Sequence, residues 1–365
     1  MAEMTSKERL EAILEGREAD RVGSTFLINP YFTNSLPGNL DPLTAPVELM
    51  KELGSDIIDR DGPLPYKTIL TGGVEYTDVF ENGITTRTYT TPVGTVSETF
   101  GGPMAWGSIS HRLTSFVKTM EDYKILQYVF EHMQFEPESS WYEERLKWIG
   151  DSGIICPQAT EFRSSLEYLL EDNLERTIMD MAEDEDTVDE FLHTLREANM
   201  RACRAAAECP TTYFQIWEDS STSLLSPKLF ERYVLPEFNE FCGILQGNGK
   251  KLIHHACGKI KHLLPYMNQE HVVAFESVTP LPVGDIEMKE TFEAWGDKYA
   301  VIGGLAPTFL IYCTMEELEE ECVRIIESLG EHKKRFVLGN GDSLPPRVDL
   351  DKLRKIVEIA KRYTF

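Results

Sequence analysis

Positive charge is what this sequence has least of. Against 61 Asp and Glu stand 36 Lys and Arg, a formal charge of −25 over 365 residues. A chain that acidic repels phosphate backbones and anionic lipid faces, so neither nucleic acid nor a membrane is an expected partner. Long apolar runs are missing too: none approaches the ~18 residues of a membrane span. The opening Met1-Ala-Glu-Met-Thr-Ser-Lys7 has no basic stretch leading into an apolar one, and a cytoplasmic location is expected. There is no CxxC pair, no G-x-S-x-G elbow, no Walker loop and no G-x-G-x-x-G after an early strand. The sequence signatures of dithiol redox chemistry, α/β-hydrolase catalysis and nucleotide binding are therefore absent. The seven cysteines of a long chain without a secretory leader read as reduced thiols, six of them small core hydrophobes. Only Cys257 has polar neighbours that suggest chemistry.

Apolar residues make up 42% and charged residues 27%, values of an ordinary globular protein. The start reads as a helix, with Ser6 as cap, an apolar stripe of Leu10, Ile13 and Leu14, and Gly16 as stop. Residues 25–103 are irregular and rich in Pro, Gly, Asn and Thr, with a hairpin turning at Thr91-Pro-Val-Gly94. From about residue 120, helices alternate with short apolar strands. Strands are predicted at Gly153–Cys156, Thr212–Trp217, Lys251–Cys257, His271–Ser277, Tyr299–Gly303 and Arg335–Leu338. Helices are predicted at Leu166–Leu170, Thr187–Glu208, Pro227–Leu245, Gly258–Met267, Ile286–Trp295, Thr314–Ser328 and Leu350–Tyr363. Such alternation builds parallel βαβ units. About eight fit the length, so the expected fold is an α/β (β/α)8 TIM barrel. It forms one domain over residues 1–365, with residues 1–110 adding a helical and β-hairpin elaboration.

In such a barrel the reactive groups sit where strands end. One strand ends in His255-Ala-Cys257, the next at Glu276, and the last runs into Gly339-Asn-Gly-Asp342. Alternation puts residues 255 and 257 on one face and His254 on the other. One borderline nitrogen, one soft sulfur and two hard oxygens make a zinc-type set of His255, Cys257, Glu276 and Asp342. The bland readings are a core thiol beside a satisfied histidine, a barrel salt-bridge partner at Glu276 and a turn residue at Asp342. Trp217-Glu-Asp219-Ser220 closes a further strand, where Asp219 could serve as acid or base and Trp217 could touch substrate, or the segment could be a polar lid. Asn29 and Tyr31 could line a pocket or form an ordinary turn.

These residues carry a resemblance that runs nearly end to end. Ser6-Lys-Glu-Arg-Leu-Glu-Ala-Ile-Leu14 through Asp20-Arg-Val22, Thr91-Pro-Val-Gly-Thr95, Leu225-Ser-Pro-Lys-Leu-Phe-Glu-Arg-Tyr-Val-Leu-Pro236, His255-Ala-Cys-Gly258, Pro280-Leu-Pro-Val-Gly-Asp285 and Gly303-Gly-Leu305 follow in order. In that order they resemble the uroporphyrinogen decarboxylase superfamily, and within it the zinc-dependent, corrinoid-linked methyltransferase branch (O-demethylase and coenzyme M methyltransferase-like). The resemblance implies a TIM barrel with zinc on His-x-Cys, a later Glu and a final Cys. His255, Cys257 and Glu276 match, whereas the final position reads Gly341-Asp342. It also implies cobalamin carried by a separate corrinoid protein and a small methylated substrate. The expected activity is zinc-dependent methyl transfer between that substrate and cobalamin, with Glu276 as the exchangeable ligand. Asp342 in place of a thiolate hardens the ligand set and points towards an oxygen substrate such as an aryl methyl ether. Asn29, Tyr31, Trp217 and Asp285 are the expected substrate contacts, with Asp219 and Glu276 as catalytic groups. The alternative is a metal-free, uroporphyrinogen decarboxylase-like lyase using Asp219 or Asp285. Against it, the decarboxylases' Arg-Gln-Ala-Gly-Arg stretch, whose arginines hold substrate carboxylates, falls on Thr25–Thr33, which has no arginine.

Overall fold

A computed structural model describes residues 3–38, 40–60, 62–101 and 111–365. The predicted irregular stretch ends at Pro103, so its last two residues lie outside the described ones, as does the end of the expected elaboration at 102–110. Eight short parallel strands dominate: β1 (Gly23–Ser24), β2 (Ile57–Asp59), β9 (Gly153–Ile155), β10 (Tyr213–Glu218), β11 (Lys251–Ala256), β12 (Ala274–Val278), β13 (Ala300–Leu305) and β14 (Phe336–Asn340). Six form one parallel sheet in the order β1-β14-β13-β12-β11-β10, and β2 pairs with β9. At one seam Asp56 N–H donates to Ser24 O (2.7 Å) and Ser24 N–H to Asp56 Oδ2 (2.9 Å); at the other, a parallel bridge between Gln158 and Gln215 joins the sheets. The architecture is α/β, as expected; its ladders are a six-stranded sheet and a two-stranded pair.

Alternation sorts the side chains. Ile58, Ile154, Tyr213, Ile253, Ala274, Ala300, Ile302 and Val337, from seven of the eight strands, meet in one cluster with Leu10, Ala12, Ile13 and Leu14 of the helix Ser6–Glu15. The opposite faces, including Phe214, Ile216, Leu252 and Phe275, pack under the outer helices. Each such large side chain contributes about 1.5–3 kcal/mol relative to exposure. Burial on both faces suits the uninterrupted apolar run of β13.

The first helix is capped by Thr5, not Ser6: Thr5 and Glu8 form a reciprocal capping box, and Gly16 ends the helix at φ 70°. Arg9 on this helix binds Asp20 (2.6 Å) and Asp56 (2.6 Å), and Arg21 joins Asp56 at 3.4 Å, a buried ion cluster below the strands. The helix expected over Pro227–Leu245 is interrupted. Pro236 has no N–H to continue the α ladder, and Phe230–Val234 widens to a π turn with Leu235 N–H on Phe230 O. Only Leu264–Met267 of the expected Gly258–Met267 is helical.

Between β2 and β9 lie two antiparallel additions. β3 (Tyr66–Leu70) pairs with β8 (Met133–Pro137). β4 (Glu75–Glu81), β5 (Ile84–Thr91), β6 (Gly94–Gly101) and β7 (Arg112–Thr114) form a four-stranded sheet whose β5–β6 turn is the expected one at residues 91–94. There Thr91 Oγ1 accepts Val93 N–H at 3.1 Å. All seven cysteines are buried and free. Among the described residues no helix is long and apolar enough to cross a membrane.

Candidate metal centre

Register builds the site. Trp217 on β10 lies opposite His255 on β11, which lies opposite Glu276 on β12. Parallel strands with these pairings put the three side chains in one row near the strands' C-terminal ends. The Trp217 ring leans on the His255 ring, with centroids 4.5 Å apart. One residue past β11, Cys257 Sγ donates to Asp219 Oδ1 at 2.6 Å. Gly258 turns the chain away at φ 99°; a Cβ there would come within 2.6 Å of Ser221 Cβ. One donor atom from each of Asp219, His255 and Cys257 lies within 4.8 Å of the others, and Glu167, Glu171 and Asp219 make a second such group.

Among the described residues no such group includes Glu276 or Asp342. Both are nearby. Glu276 Oε2 sits 3.5 Å from His255 Nδ1, while Oε1 is held by Arg60 Nη2. Arg60 is itself 5% exposed, with Nη1 on Ile58 O (3.0 Å) and Phe26 O (3.3 Å). Asp342 Oδ1 accepts the Ser343 N–H at 2.6 Å. Gly341 before it backs onto Thr279, whose Oγ1 donates to Gly341 O at 2.7 Å. A Cβ at Gly341 would stand 1.7 Å from that Oγ1. After Glu276 the ladder shifts register at Ser277, a buried residue held at φ 68°.

Burial pushes the Cys257 thiol well above its ordinary range, and the Asp219 and Asp342 carboxylates push it further. Burial also raises Asp342, against the pull of the Ser343 N–H. For Asp219 burial works upward, but hydrogen bonding by Glu171, the Arg163 charge and the Cys257 thiol together hold it below the usual carboxylate range. For Glu276 burial is likewise outweighed, by Arg60 and His255. The thiol proton thus sits on sulfur, aimed at an ionised carboxylate.

The remaining expected residues divide. Trp217 lines an open cleft of about 330 Å³ with Gln158, Glu161, Phe162 and Arg163. Asn29 caps the short helix Pro30–Thr33 by accepting Phe32 N–H at 3.2 Å. Tyr31 is half-buried, with no hydrogen-bond partner for its hydroxyl among the described residues. Asp285 accepts the Lys261 N–H at 3.0 Å.

Sequence reasoning missed Arg60, Arg163, Glu167 and Glu171. Arg163 reaches Glu171 (2.6 Å), Glu167 (3.1 Å) and Asp219 (3.4 Å). Glu167 is fully buried and raised well above its ordinary range by burial and by Glu218; Glu171 is raised to about 8, first by burial. Glu167 and Glu171, four apart on the helix Ser165–Glu183 with Arg163 just before its cap, were an available signal, since that spacing shares one helix face.

Residues 165–363 match the family described as Uroporphyrinogen decarboxylase (URO-D). No curated protein matches the sequence. Among solved structures, a methyltransferase from Methanosarcina mazei is similar, with a TM-score of 0.64 at 15% identity over 99% of this chain and 99% of that one. At that identity the likeness is one of fold.

Proposed function

This chain belongs to the uroporphyrinogen decarboxylase family, and from that premise we propose that it is a zinc-dependent methyltransferase moving a methyl group between a small methylated substrate and the cobalamin of a separate corrinoid protein. We read the eight parallel strands as the staves of one (β/α)8 barrel, since inward residues of seven of them share a single cluster. The observation that carries the function is the convergence of one nitrogen, one sulfur and one carboxylate oxygen, from His255, Cys257 and Asp219, within 4.8 Å at adjacent strand ends. That donor set fits zinc, borderline in softness and content with mixed ligands. His255 and Cys257 would hold the ion, with Asp219 nearest and Glu276 and Asp342 as flanking carboxylates. Bound there, zinc would supply Lewis acidity to the heteroatom that gives up or receives the methyl group. The similar fold of a protein named a methyltransferase supports the same branch.

The chain's own side chains prepare this site. The Cys257 thiol is held by its donation to Asp219 Oδ1, and its proton must leave before sulfur can serve as a ligand. Glu276 at Nδ1 and Trp217 on the ring face orient His255, leaving Nε2 as the nitrogen free for the ion. Phe162 and Trp217 offer aromatic faces in the adjoining cleft, which suits a methoxylated ring. A metal-free lyase acting on a polycarboxylate is the weaker reading. The arginine lining that cleft, Arg163, is already paired with three carboxylates, and Arg60 is buried against Glu276.

The test is metal content together with methyl transfer to free cob(I)alamin, for the wild type and for Cys257→Ala and Asp342→Asn. Stoichiometric zinc in the wild type, lost with Cys257→Ala along with transfer, is expected. Unchanged zinc and unchanged rate in both variants would end the proposal.

A further inference from the structure

The cleft beside Trp217 holds one charge without a counter-charge. Its cation, Arg163, is fully engaged, with Glu171, Glu167 and Asp219 sharing one guanidinium. Glu161 is different. Its Oε1 accepts the Thr68 hydroxyl at 3.0 Å, and among the described residues no cation pairs with it. The residues outside the described ones include no Lys or Arg. Burial raises the Glu161 carboxyl, and only the Thr68 bond pulls the other way. Its place is fixed from both ends: Glu161 N–H donates to the Tyr66 hydroxyl at 2.8 Å, so β3 pins backbone and side chain alike. The aromatic walls are fixed as well. Gln158, turned to satisfy both ends of its carboxamide, accepts Trp217 Nε1–H at 3.1 Å and donates to Thr160 O at 3.3 Å. Phe162 packs edge to face with Phe130 and Tyr168. The open space of about 330 Å³ among these groups has room for one ring with a short side arm.

We infer that Glu161 is a specificity-determining residue, selecting methylated rings that bear a cationic side arm and rejecting those that bear a carboxylate. The methoxy end of that ligand rests on the reading above, whereas the charge preference rests on the cleft alone. A carboxylate with one uncommitted oxygen beside aromatic groups is a site for ammonium. The anion meets the charge directly, and the rings of Trp217 and Phe162 add cation–π attraction. A ligand carboxylate meets the reverse. Glu161 repels it, and Arg163 can receive it only by leaving carboxylates it already holds. Because Thr68 and Tyr66 hold Glu161 before any ligand arrives, little ordering entropy is lost on binding. The field of a chain with a formal charge of −25 draws the same sign of ligand.

Ligands that share one ring and differ in charge test this: para-methoxybenzylammonium, para-methylanisole and para-methoxybenzoate, titrated calorimetrically into the purified protein. The cation is expected to bind about tenfold more tightly than the neutral ring, the gain of one hydrogen bond between charged groups. The anion binds more weakly than either. Glu161→Gln brings the cation down to the level of the neutral ring and leaves the neutral ring unchanged. Raising salt from about 0.05 to about 0.5 M weakens the cation alone, a second measurement that needs no variant should Glu161→Gln not fold. An anion bound as tightly as the cation overturns the inference, as does a cation whose affinity survives Glu161→Gln or high salt. Failure of all three ligands to bind overturns it too. Metal content and methyl transfer decide the other reading separately. A charge preference in a protein without zinc sinks the transferase and leaves the selection standing, while zinc and transfer beside charge-blind binding do the opposite.

Discussion

Glu237 should make this protein less stable as pH rises through neutrality. The residue lies on the helix Leu235–Gly247, fully buried, with Oε2 accepting Ser165 N–H (2.9 Å) and Oγ–H (2.7 Å) and Oε1 accepting Asn199 Nδ2–H (2.8 Å). Burial outweighs these donors and raises the carboxyl from 4.5 to about 7. The folded state therefore holds the proton more tightly than the unfolded chain does. The resulting stabilisation is complete below pH 4.5 and is lost as pH rises through 7. The rise from 4.5 to about 7 is worth about 3 kcal/mol, of which about 2 kcal/mol is lost between pH 5.5 and 8.5. Glu237→Gln carries no such proton, so its stability relative to wild type climbs by about 2 kcal/mol over that window. With unfolding entropy near 2.1 cal/mol/K per residue, that is a gain of roughly 2–3 °C in the difference of midpoints. Thermal scans of both proteins across that range measure the difference, which cancels every other titrating group. A difference that stays constant with pH refutes the reasoning.

Two further predictions concern stability. Arg9→Met removes the guanidinium from Asp20 and leaves Asp56 with Arg21 alone in the buried cluster beneath the strands and should cost about 3 kcal/mol, read as an earlier midpoint in urea. Gly341→Ala drives a methyl into Thr279 Oγ1 and should cost about 1–3 kcal/mol. Scanning calorimetry checks it, and an unshifted midpoint would mean that the loop after β14 yields freely.

The sequence pattern reveals long periodic segments and hides short ones. Residues 213–218, 251–256 and 300–305 carry enough β-branched and aromatic side chains between turn signals to read as strands, and the 91–94 turn announces its hairpin. The strands Gly23–Ser24 and Ile57–Asp59 hold two and three residues, too few for any period. With Ile57–Asp59 unseen, Arg60 had no strand end to sit on, and its hold on Glu276 could not be anticipated. His255 and Cys257 were legible because two residues along a strand share a face. The proximity of Asp219 to both was not, since it depends on how β10 and β11 align, with Trp217 opposite His255. Thr5 replaces Ser6 as the helix cap for a related reason: either hydroxyl suits the chemistry, and only the Glu8 contact decides.

The pairing of β1 with β14 joins Gly23 to Val337. During synthesis the earlier strand waits for 314 further residues (337 less 23) before its ladder partner leaves the ribosome, roughly 15–60 s at ordinary elongation rates. For that interval the apolar stripe of the first helix lacks Val337, and the nascent chain carries an unsatisfied strand edge. A chain stopped before Phe336 should therefore keep that edge open and aggregate more readily than the full chain.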